Sequence, residues 1–173
     1  GGGIRKQIEA GDITLDDIYS VHPFGNTMCV IRVTGQQVLD ALEWGARAVP
    51  SENGGFLQVS GLTYEIHTGV ASSAEKDENG MFTRVSGEYR VKNVMVGGQP
   101  LELDKTYTLA SHNYMLLGHG DGYTMFDGCE VLGEDMMVDN QVLITYITTT
   151  LGGVVGELRR SVMLNCKFSG KIE

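Results

Sequence analysis

The chain has 173 residues, of which 42% are hydrophobic and 20% are charged, and this is enough to bury the core of one folded domain. Its formal net charge of −9 argues against a DNA or RNA polymer as a partner, because such partners are bound by clustered positive charge. The 24 glycines are about twice the average share, and with only 3 prolines they predict many tight loops between regular elements.

Clear start signals predict helices in the first half of the chain, together with one buried strand. Thr14 and Asp17 have the spacing of a capping box, although Asp stands in place of the usual Glu. Thr34 precedes apolar residues at helical spacing, and Pro50 is expected to end that helix. Trp44 lies near the apolar stripe and is predicted to pack this helix against a sheet. The predicted elements are a helix from Thr14 through Ile18, a strand at Thr27–Val33 and a helix at Gly35–Val49.

The second half is predicted to be richer in strands. Ser60-Gly61 predicts a bulge between two strands, Gly97-Gly98 a hairpin turn, and Gly69–Gly80 a mobile polar loop. Asp139 is expected to cap a last amphipathic helix. Helices and strands are interspersed, so we predict an α+β fold with mixed sheets and flanking helices, as a single domain over residues 1–173. The predicted elements are strands at Phe56–Val59, Leu62–His67, Val91–Val96, Leu101–Leu103, Thr106–Ser111 and Val162–Phe168, and a helix from Val142 to about Leu151.

Three glycines surround His119 and Asp121 within the stretch Ser111–Phe126. Glycine reaches positive φ at little steric cost, so these residues predict a sharp, bare loop. Asp121 lies between two glycines, where its carboxylate can accept hydrogen bonds from ligand hydroxyls. Tyr114 and Tyr123 flank the loop, and each offers a flat ring to a planar ligand. The alternative is a surface turn with two core tyrosines.

A second candidate segment precedes the first predicted strand. Pro23 disfavours helix at His22, and Gly25 permits a turn directly after Phe24. Phe24 is therefore expected to be presented from a loop. The glycine run Gly1–Arg5 lets backbone N–H groups approach an anion beside a guanidinium, although the end of a longer sequence would look the same.

The sequence lacks the common signatures of a catalytic or metal site. There is no G-x-S-x-G elbow, no H-E-x-x-H and no P-loop, and the four histidines stand in unrelated contexts. The three cysteines are far apart and form no C-x-x-C motif, and Cys29 is expected to be a buried thiol. We predict recognition residues without catalytic residues or a metal site.

Three segments in this order and spacing resemble the C-terminal domain of the 5′-nucleotidase family, which also includes UDP-sugar hydrolases and related secreted nucleotide phosphoesterases. They are G-G-G-I-R at Gly1–Arg5, H-P-F-G-N-T at His22–Thr27 and N-Y-M-L-L-G-H-G-D-G-Y at Asn113–Tyr123. The resemblance extends to about Gly156. It implies that this domain recognises a nucleotide, while a preceding metallophosphoesterase domain holds two divalent metals and the catalytic residues.

The resemblance also implies roles for individual residues. Phe24 and Tyr114 are expected to stack on the two faces of the base, and Asp121 to bind the ribose hydroxyls. The family usually has Phe at the second stacking position and one residue fewer before the aspartate, so Met115 is the alternative wall. The complete set of expected substrate-binding residues is Arg5 on the ribose and phosphate side, Phe24, Asn26 at the base edge, Gly54 where the chain passes the base, Tyr114 and Asp121.

The resemblance leads to several further expectations. The chain is expected to bind no cofactor itself, to bind a nucleotide or nucleoside, and to have no phosphatase activity alone. By resemblance, the whole protein is expected to be extracellular, at the cell surface or periplasmic. The family's C-terminal domain normally begins before G-G-G-I-R, so by resemblance the start of the domain is expected to be missing from this sequence. A homodimer through the edge that this leaves uncovered is expected, because an unpaired strand edge invites a second copy. The alternative functions are a non-catalytic ligand-binding module of a cell-surface protein, or the same fold acting on a cyclic nucleotide, a UDP-sugar or a sulfur compound.

Overall fold

A computed structural model describes residues 2–156 and the backbone of residues 166–169. Helices alternate with small, mostly antiparallel sheets, which confirms the predicted α+β class. Within these described ranges no helix has the length and apolar character needed to cross a membrane. The helices are α1 Leu15–Val21, α2 Gly35–Ala46, α3 Asn113–Leu116 and α4 Asp139–Thr145, and the strands are β1 Met28–Thr34, β2 Leu62–His67, β3 Ala74–Lys76, β4 Phe82–Val85, β5 Val91–Val96, β6 Gln99–Pro100, β7 Thr106–His112, β8 Glu130–Gly133 and β9 Cys166–Ser169.

The first sheet has β1 in the centre, with β7 and β8 antiparallel on its two sides. Alternate residues of β1 are buried, among them Cys29 as predicted, and α2 follows β1 directly and packs on it. Met28 pairs with His112, so the loop before β1 and the helix after β7 lie at the same end of the sheet. Next to this pair, Thr27 and Asn113 are hydrogen-bonded although they are 86 residues apart in the sequence.

The other strands form a four-stranded sheet and a separate hairpin. The sheet has the order β6-β5-β2-β9, in which β2 and β9 run parallel. The hairpin joins β3 and β4, and Phe82 in β4 packs edge-on to the buried Trp44 of α2, with ring centroids 5.7 Å apart. The predicted packing role of Trp44 is therefore confirmed.

Two buried charged residues join α2 to β5. Glu43 is fully buried, and its carboxylate accepts hydrogen bonds from the backbone N–H groups of Arg90 and Val91 at 3.1 and 2.8 Å. The Arg90 guanidinium donates to the carbonyls of Ala46, Arg47 and Val49 at the end of the helix. Burial raises the pKa of Glu43, and the two N–H bonds and the Arg90 charge offset part of that rise.

Local capping signals predicted the starts of α1 and α2 correctly, but not the start of α4 or the helix α3, and the helix ends were predicted less well. Thr14 and Asp17 form the predicted capping box, and Thr34 caps α2. The second helix ends at Ala46, before the predicted Val49; after it the Arg47 and Val49 N–H groups donate to the carbonyls of Trp44 and Ala46, three residues back, and the Ala46 carbonyl also accepts from Arg90. Asp139 is the first residue of α4 instead of its cap, and the helix gives way to a π-helical turn at Tyr146–Thr150.

Several strand predictions need correction. The predicted strand Phe56–Val59 joins no sheet, although its apolar side chains pack against the core. The predicted mobile loop Gly69–Gly80 contains β3, and β6 lies at Gln99–Pro100, before the predicted Leu101–Leu103. The last predicted strand, Val162–Phe168, falls partly outside the described residues; β9 covers its end.

Candidate functional site

The loop that carries Phe24 lies beside the N-terminal segment. The Arg5 backbone N–H donates to the carbonyl of Val21, the last residue of α1, at 3.1 Å. The Arg5 guanidinium carbon lies 5.7 Å from the centroid of the Phe24 ring, within the range of a cation–π contact. Phe24 itself is 59% exposed. One face of this ring therefore meets a cation, and the ring is open to solvent.

The end of the same loop is bonded to the segment that carries Tyr114. The Thr27 backbone N–H donates to Asn113 Oδ1 at 3.1 Å, and the Asn113 N–H donates to the Thr27 carbonyl at 2.8 Å. Tyr114 follows in α3 and is 48% exposed. The Asn26 backbone carbonyl accepts from the Asp139 N–H at 2.8 Å. The side-chain amide of Asn26 makes no hydrogen bond to another residue in the described ranges.

The Tyr114 ring lies directly against the loop that carries Asp121. A Cβ added to Gly120 would overlap the Tyr114 ring, so only glycine allows this close approach. His119 and Asp121 both have left-handed backbone conformations, with φ of 54° and 56°. Asp121 is exposed, as predicted for a bare loop.

The loop Asn53–Gly55 connects Asp121 back to the N-terminal segment. The Gly2 N–H donates to the Gly54 carbonyl at 2.8 Å. A Cβ added to Gly55 would lie 3.1 Å from the Asp121 Cβ, so the backbone passes close to this side chain. Gly54 is exposed beside both segments.

These contacts link the four segments into a closed circuit of neighbouring residues. It runs from Phe24 through Arg5 to Gly2 and Gly54, then to Asp121, Tyr114, Asn113 and Thr27, and returns to Phe24. All six residues predicted from the sequence lie on this circuit or directly beside it. Their side chains provide two exposed aromatic rings, one cation, one carboxylate and one amide.

Two basic side chains near the site, those of His112 and Arg47, have lowered pKa values. Burial lowers the pKa of His112, whose ring centroid lies 5.9 Å from that of Tyr114, while the Asp139 and Asp121 charges oppose this effect. The imidazole behind Tyr114 is therefore neutral near pH 7. Burial also lowers the pKa of Arg47, with the Tyr123 and Asp121 groups acting in the opposite direction.

The two tyrosines that flank the Asp121 loop differ in exposure: Tyr114 is exposed and Tyr123 is buried. Tyr123 is 1% exposed, and its hydroxyl donates to the Gly55 carbonyl at 2.6 Å, so it supports the loop from below and offers no ring to a ligand. Burial raises the pKa of this phenol. Met115, the alternative wall, packs partly against the core, which leaves Tyr114 as the exposed ring.

The sequence analysis did not predict most of the contacts that support the site. Asn53 accepts from the Gly55 N–H at 3.1 Å and donates to the Gly45 carbonyl at 3.2 Å, which fixes the turn before Gly55. The polar, glycine-containing sequence Ser51–Gly55 does predict a turn here, but it does not show which backbone groups the Asn53 side chain bonds. In the part of the chain that the structure describes, no group of three or more His, Cys, Asp or Glu residues is arranged to hold a metal ion.

Comparisons with known proteins agree with this architecture. The family model described as the 5′-nucleotidase C-terminal domain matches residues 1–128. A trifunctional nucleotide phosphoesterase protein, YfkN, of Bacillus subtilis is 35% identical over 155 residues, which cover 90% of this chain and 10% of that protein. A 5′-nucleotidase of Vibrio vulnificus is 32% identical over 146 residues, which cover 84% of this chain and 22% of that protein.

Solved structures of nucleotidases are also similar to this chain. A 5′-nucleotidase precursor of Thermus thermophilus superposes with a TM-score of 0.77 at 30% identity, over 98% of this chain and 30% of that one. An NAD nucleotidase of Haemophilus influenzae superposes with a TM-score of 0.69 at 25% identity, over 96% of this chain and 28% of that one. The α+β fold of this chain is therefore one that solved 5′-nucleotidase structures contain. The chain belongs to the 5′-nucleotidase C-terminal domain family, and it spans about a tenth to a quarter of the curated relatives it matches.

Proposed function

We propose that this chain is the nucleotide-recognition domain of a two-domain, metal-dependent phosphoesterase that hydrolyses 5′-nucleotides. The observation that carries the proposal is the circuit of contacts that links the exposed rings of Phe24 and Tyr114 to the loop that carries the Asp121 carboxylate. A base stacks on aromatic rings through its π-face, and a carboxylate accepts hydrogen bonds from the two ribose hydroxyls. Membership of the family supports this assignment.

The remaining residues have consistent roles in this proposal. Arg5 lies over Phe24 and would meet the ribose and phosphate side of the ligand, while the Asn26 amide, which bonds no other residue in the described ranges, would meet the base edge. Gly54 lets the backbone pass close to the base, because it has no side chain. The chain binds the nucleotide through these groups and contributes no catalytic residue.

In the whole protein, a preceding metallophosphoesterase domain would hold the divalent metal pair and activate the attacking water. We propose that the protein acts outside the cytoplasm or at the cell surface. The homodimer through an exposed strand edge stays a prediction. Phosphate release by this chain loaded with divalent metal, abolished in Asp121→Ala, would contradict the division of labour between the two domains.

Replacing Asp121 with Asn tests the proposed ribose contact. Asn tolerates the left-handed backbone at this position, so the loop is expected to keep its shape. Hydrogen bonds to a charged acceptor are worth more than those to a neutral one, so adenosine should bind about 5-fold or more weakly. Binding of 2′,3′-dideoxyadenosine should stay within about 2-fold of the wild type, because this ligand has no hydroxyls for Asp121.

Binding would be measured by NMR titration of each nucleoside into the 173-residue chain. The matched control is Asp104→Asn, which changes an exposed carboxylate beside Lys105, next to the N-terminal end of α2. It should leave both affinities unchanged. An equal loss of affinity for the two nucleosides in Asp121→Asn, or no loss for either, would reject the ribose assignment.

Replacing Gly120 with Ala tests the position of the Tyr114 ring. The added methyl group would overlap the ring, so Tyr114 must swing away from the loop, and adenosine should bind about 5-fold more weakly as part of the stacking is lost. Gly69→Ala is the control, because a Cβ there meets nothing within 4 Å. NMR titration checks both variants, and wild-type affinity in Gly120→Ala would show that the Tyr114 ring does not contact the ligand.

A further inference from the structure

Trp44 contacts the Asp121 loop at two points. Its indole Nε1–H donates to the Asp121 carbonyl at 2.9 Å. A Cβ added to the next residue, Gly122, would lie 2.8 Å from Trp44 Cζ2, so the edge of the ring is pressed against the backbone there. Trp44 is 1% exposed and cannot reach a ligand itself.

The backbone at Asp121 needs support of this kind. Its φ of 56° and ψ of 18° lie in the left-handed region, which residues other than glycine adopt at a cost and keep only where their surroundings hold them. The Trp44 hydrogen bond is made to the carbonyl of this same residue. It therefore fixes the direction of the peptide plane, and with it the direction in which the Asp121 side chain leaves the backbone.

Arg47 reinforces the arrangement from the other side of the indole. Its guanidinium carbon lies 3.7 Å from the Trp44 ring centroid, and its Nη1 donates to the Trp44 carbonyl at 2.7 Å. The stacked guanidinium restricts the rotation of the indole. The positive charge of Arg47 also acts on Asp121.

We propose that Trp44 is a positioning residue of the nucleotide site, which acts through Asp121 and sets the preference for ligands that carry both ribose hydroxyls. This inference rests on the proposed function, because it assumes that Asp121 binds those hydroxyls. It differs from a general packing role, since a packing residue would affect all nucleosides equally. Trp44 would affect the hydroxyl-dependent part of the affinity alone.

The test compares adenosine with 2′,3′-dideoxyadenosine for the wild type and Trp44→Phe. Phe keeps an aromatic ring in the core and removes the N–H donor. The wild type should prefer adenosine, and Trp44→Phe should lose about 3- to 10-fold of that preference, the value of one hydrogen bond, while its affinity for the dideoxy ligand stays within about 2-fold. The control Phe82→Leu trims the ring packed edge-on to Trp44 and leaves the N–H bond in place, so it should keep the wild-type preference.

A second measurement needs no variant. Trp44 is the one tryptophan of the chain, so its indole N–H gives a single assignable NMR signal. Saturating adenosine should shift this signal, and saturating 2′,3′-dideoxyadenosine should shift it less. An unchanged preference in Trp44→Phe, or an indole signal that saturating adenosine does not shift, overturns the positioning role. A wild type that shows no preference for adenosine overturns the proposed ribose contact, and this inference with it.

Discussion

Replacing Glu43 with Ala is expected to lower the free energy of unfolding by about 2–4 kcal/mol. The Glu43 carboxylate accepts from two buried backbone N–H groups, those of Arg90 and Val91. Each buried donor left without an acceptor costs about 1–3 kcal/mol. The substitution also removes the negative charge that acts on the Arg90 guanidinium, which is itself 4% exposed. Denaturant unfolding followed by circular dichroism measures the change.

The matched control is Glu52→Ala, which removes an exposed carboxylate shortly after the same helix. Surface substitutions of this kind change stability by about 0.5 kcal/mol or less. A loss of similar size in the two variants would show that Glu43 has no special role in joining α2 to β5.

The free energy of unfolding is also expected to depend on pH through Glu43, and comparison with Glu43→Gln measures this contribution. Burial raises the pKa of Glu43 in the folded protein, so the folded state favours the protonated form. Its contribution to stability is therefore present below the ordinary glutamate pKa and is lost as the pH rises through the folded pKa. The stability of the wild type relative to Glu43→Gln should fall over the range that begins at the ordinary glutamate pKa, about 4.3, and extends upward through the raised pKa of the folded protein. A relative stability that rises over this range would mean that the two N–H bonds outweigh burial.

Replacing Phe24 with Ala is expected to have the largest effect on ligand binding. Base–aromatic stacking is worth about 1–3 kcal/mol per ring by alanine substitution, so adenosine should bind about 5- to 150-fold more weakly. Phe24 is 59% exposed and contacts the Arg5 guanidinium, so its removal should leave the core intact. Isothermal titration with adenosine and AMP measures the loss.

Tyr146→Ala is the control for this substitution, because Tyr146 is 51% exposed but lies beyond α4 and outside the circuit of site contacts. It should bind adenosine like the wild type. Tyr114→Ala should lose affinity in the same range as Phe24→Ala, since the second ring stacks on the opposite face of the base. Wild-type affinity in both ring variants would remove the basis of the nucleotide assignment.

The sequence predicted those parts of the fold that depend on neighbouring residues. The capping boxes at Thr14 and Thr34 and the buried strand β1 are set by short-range signals, and all three are present. The hairpin β3–β4 was missed because its polar residues lack an apolar alternation. It is stabilised by Asp77, which accepts from two backbone N–H groups in the turn, and by the packing of Phe82 on Trp44.

In the candidate site, too, the features set by neighbouring residues were predicted and those set by long-range contacts were not. Phe24 and Asp121 were found because proline and glycine around them indicate exposed loops. The supporting contacts were not found, since Trp44 and Tyr123 bond backbone groups that are 77 and 68 residues away in the sequence. Such long-range bonds leave no pattern in the sequence of one chain. From the residues alone Tyr114 and Tyr123 looked alike, the family resemblance selected Tyr114, and the fold shows that Tyr114 is exposed and Tyr123 is buried.

The most direct test of the nucleotide assignment is an intermolecular nuclear Overhauser measurement on the 173-residue chain with adenosine in excess. We expect contacts from the base protons to the ring protons of both Phe24 and Tyr114, and from the ribose protons to the Asp121 β-protons. Bound adenosine that shows contacts to neither ring would place the ligand elsewhere on the molecule and contradict the proposed function.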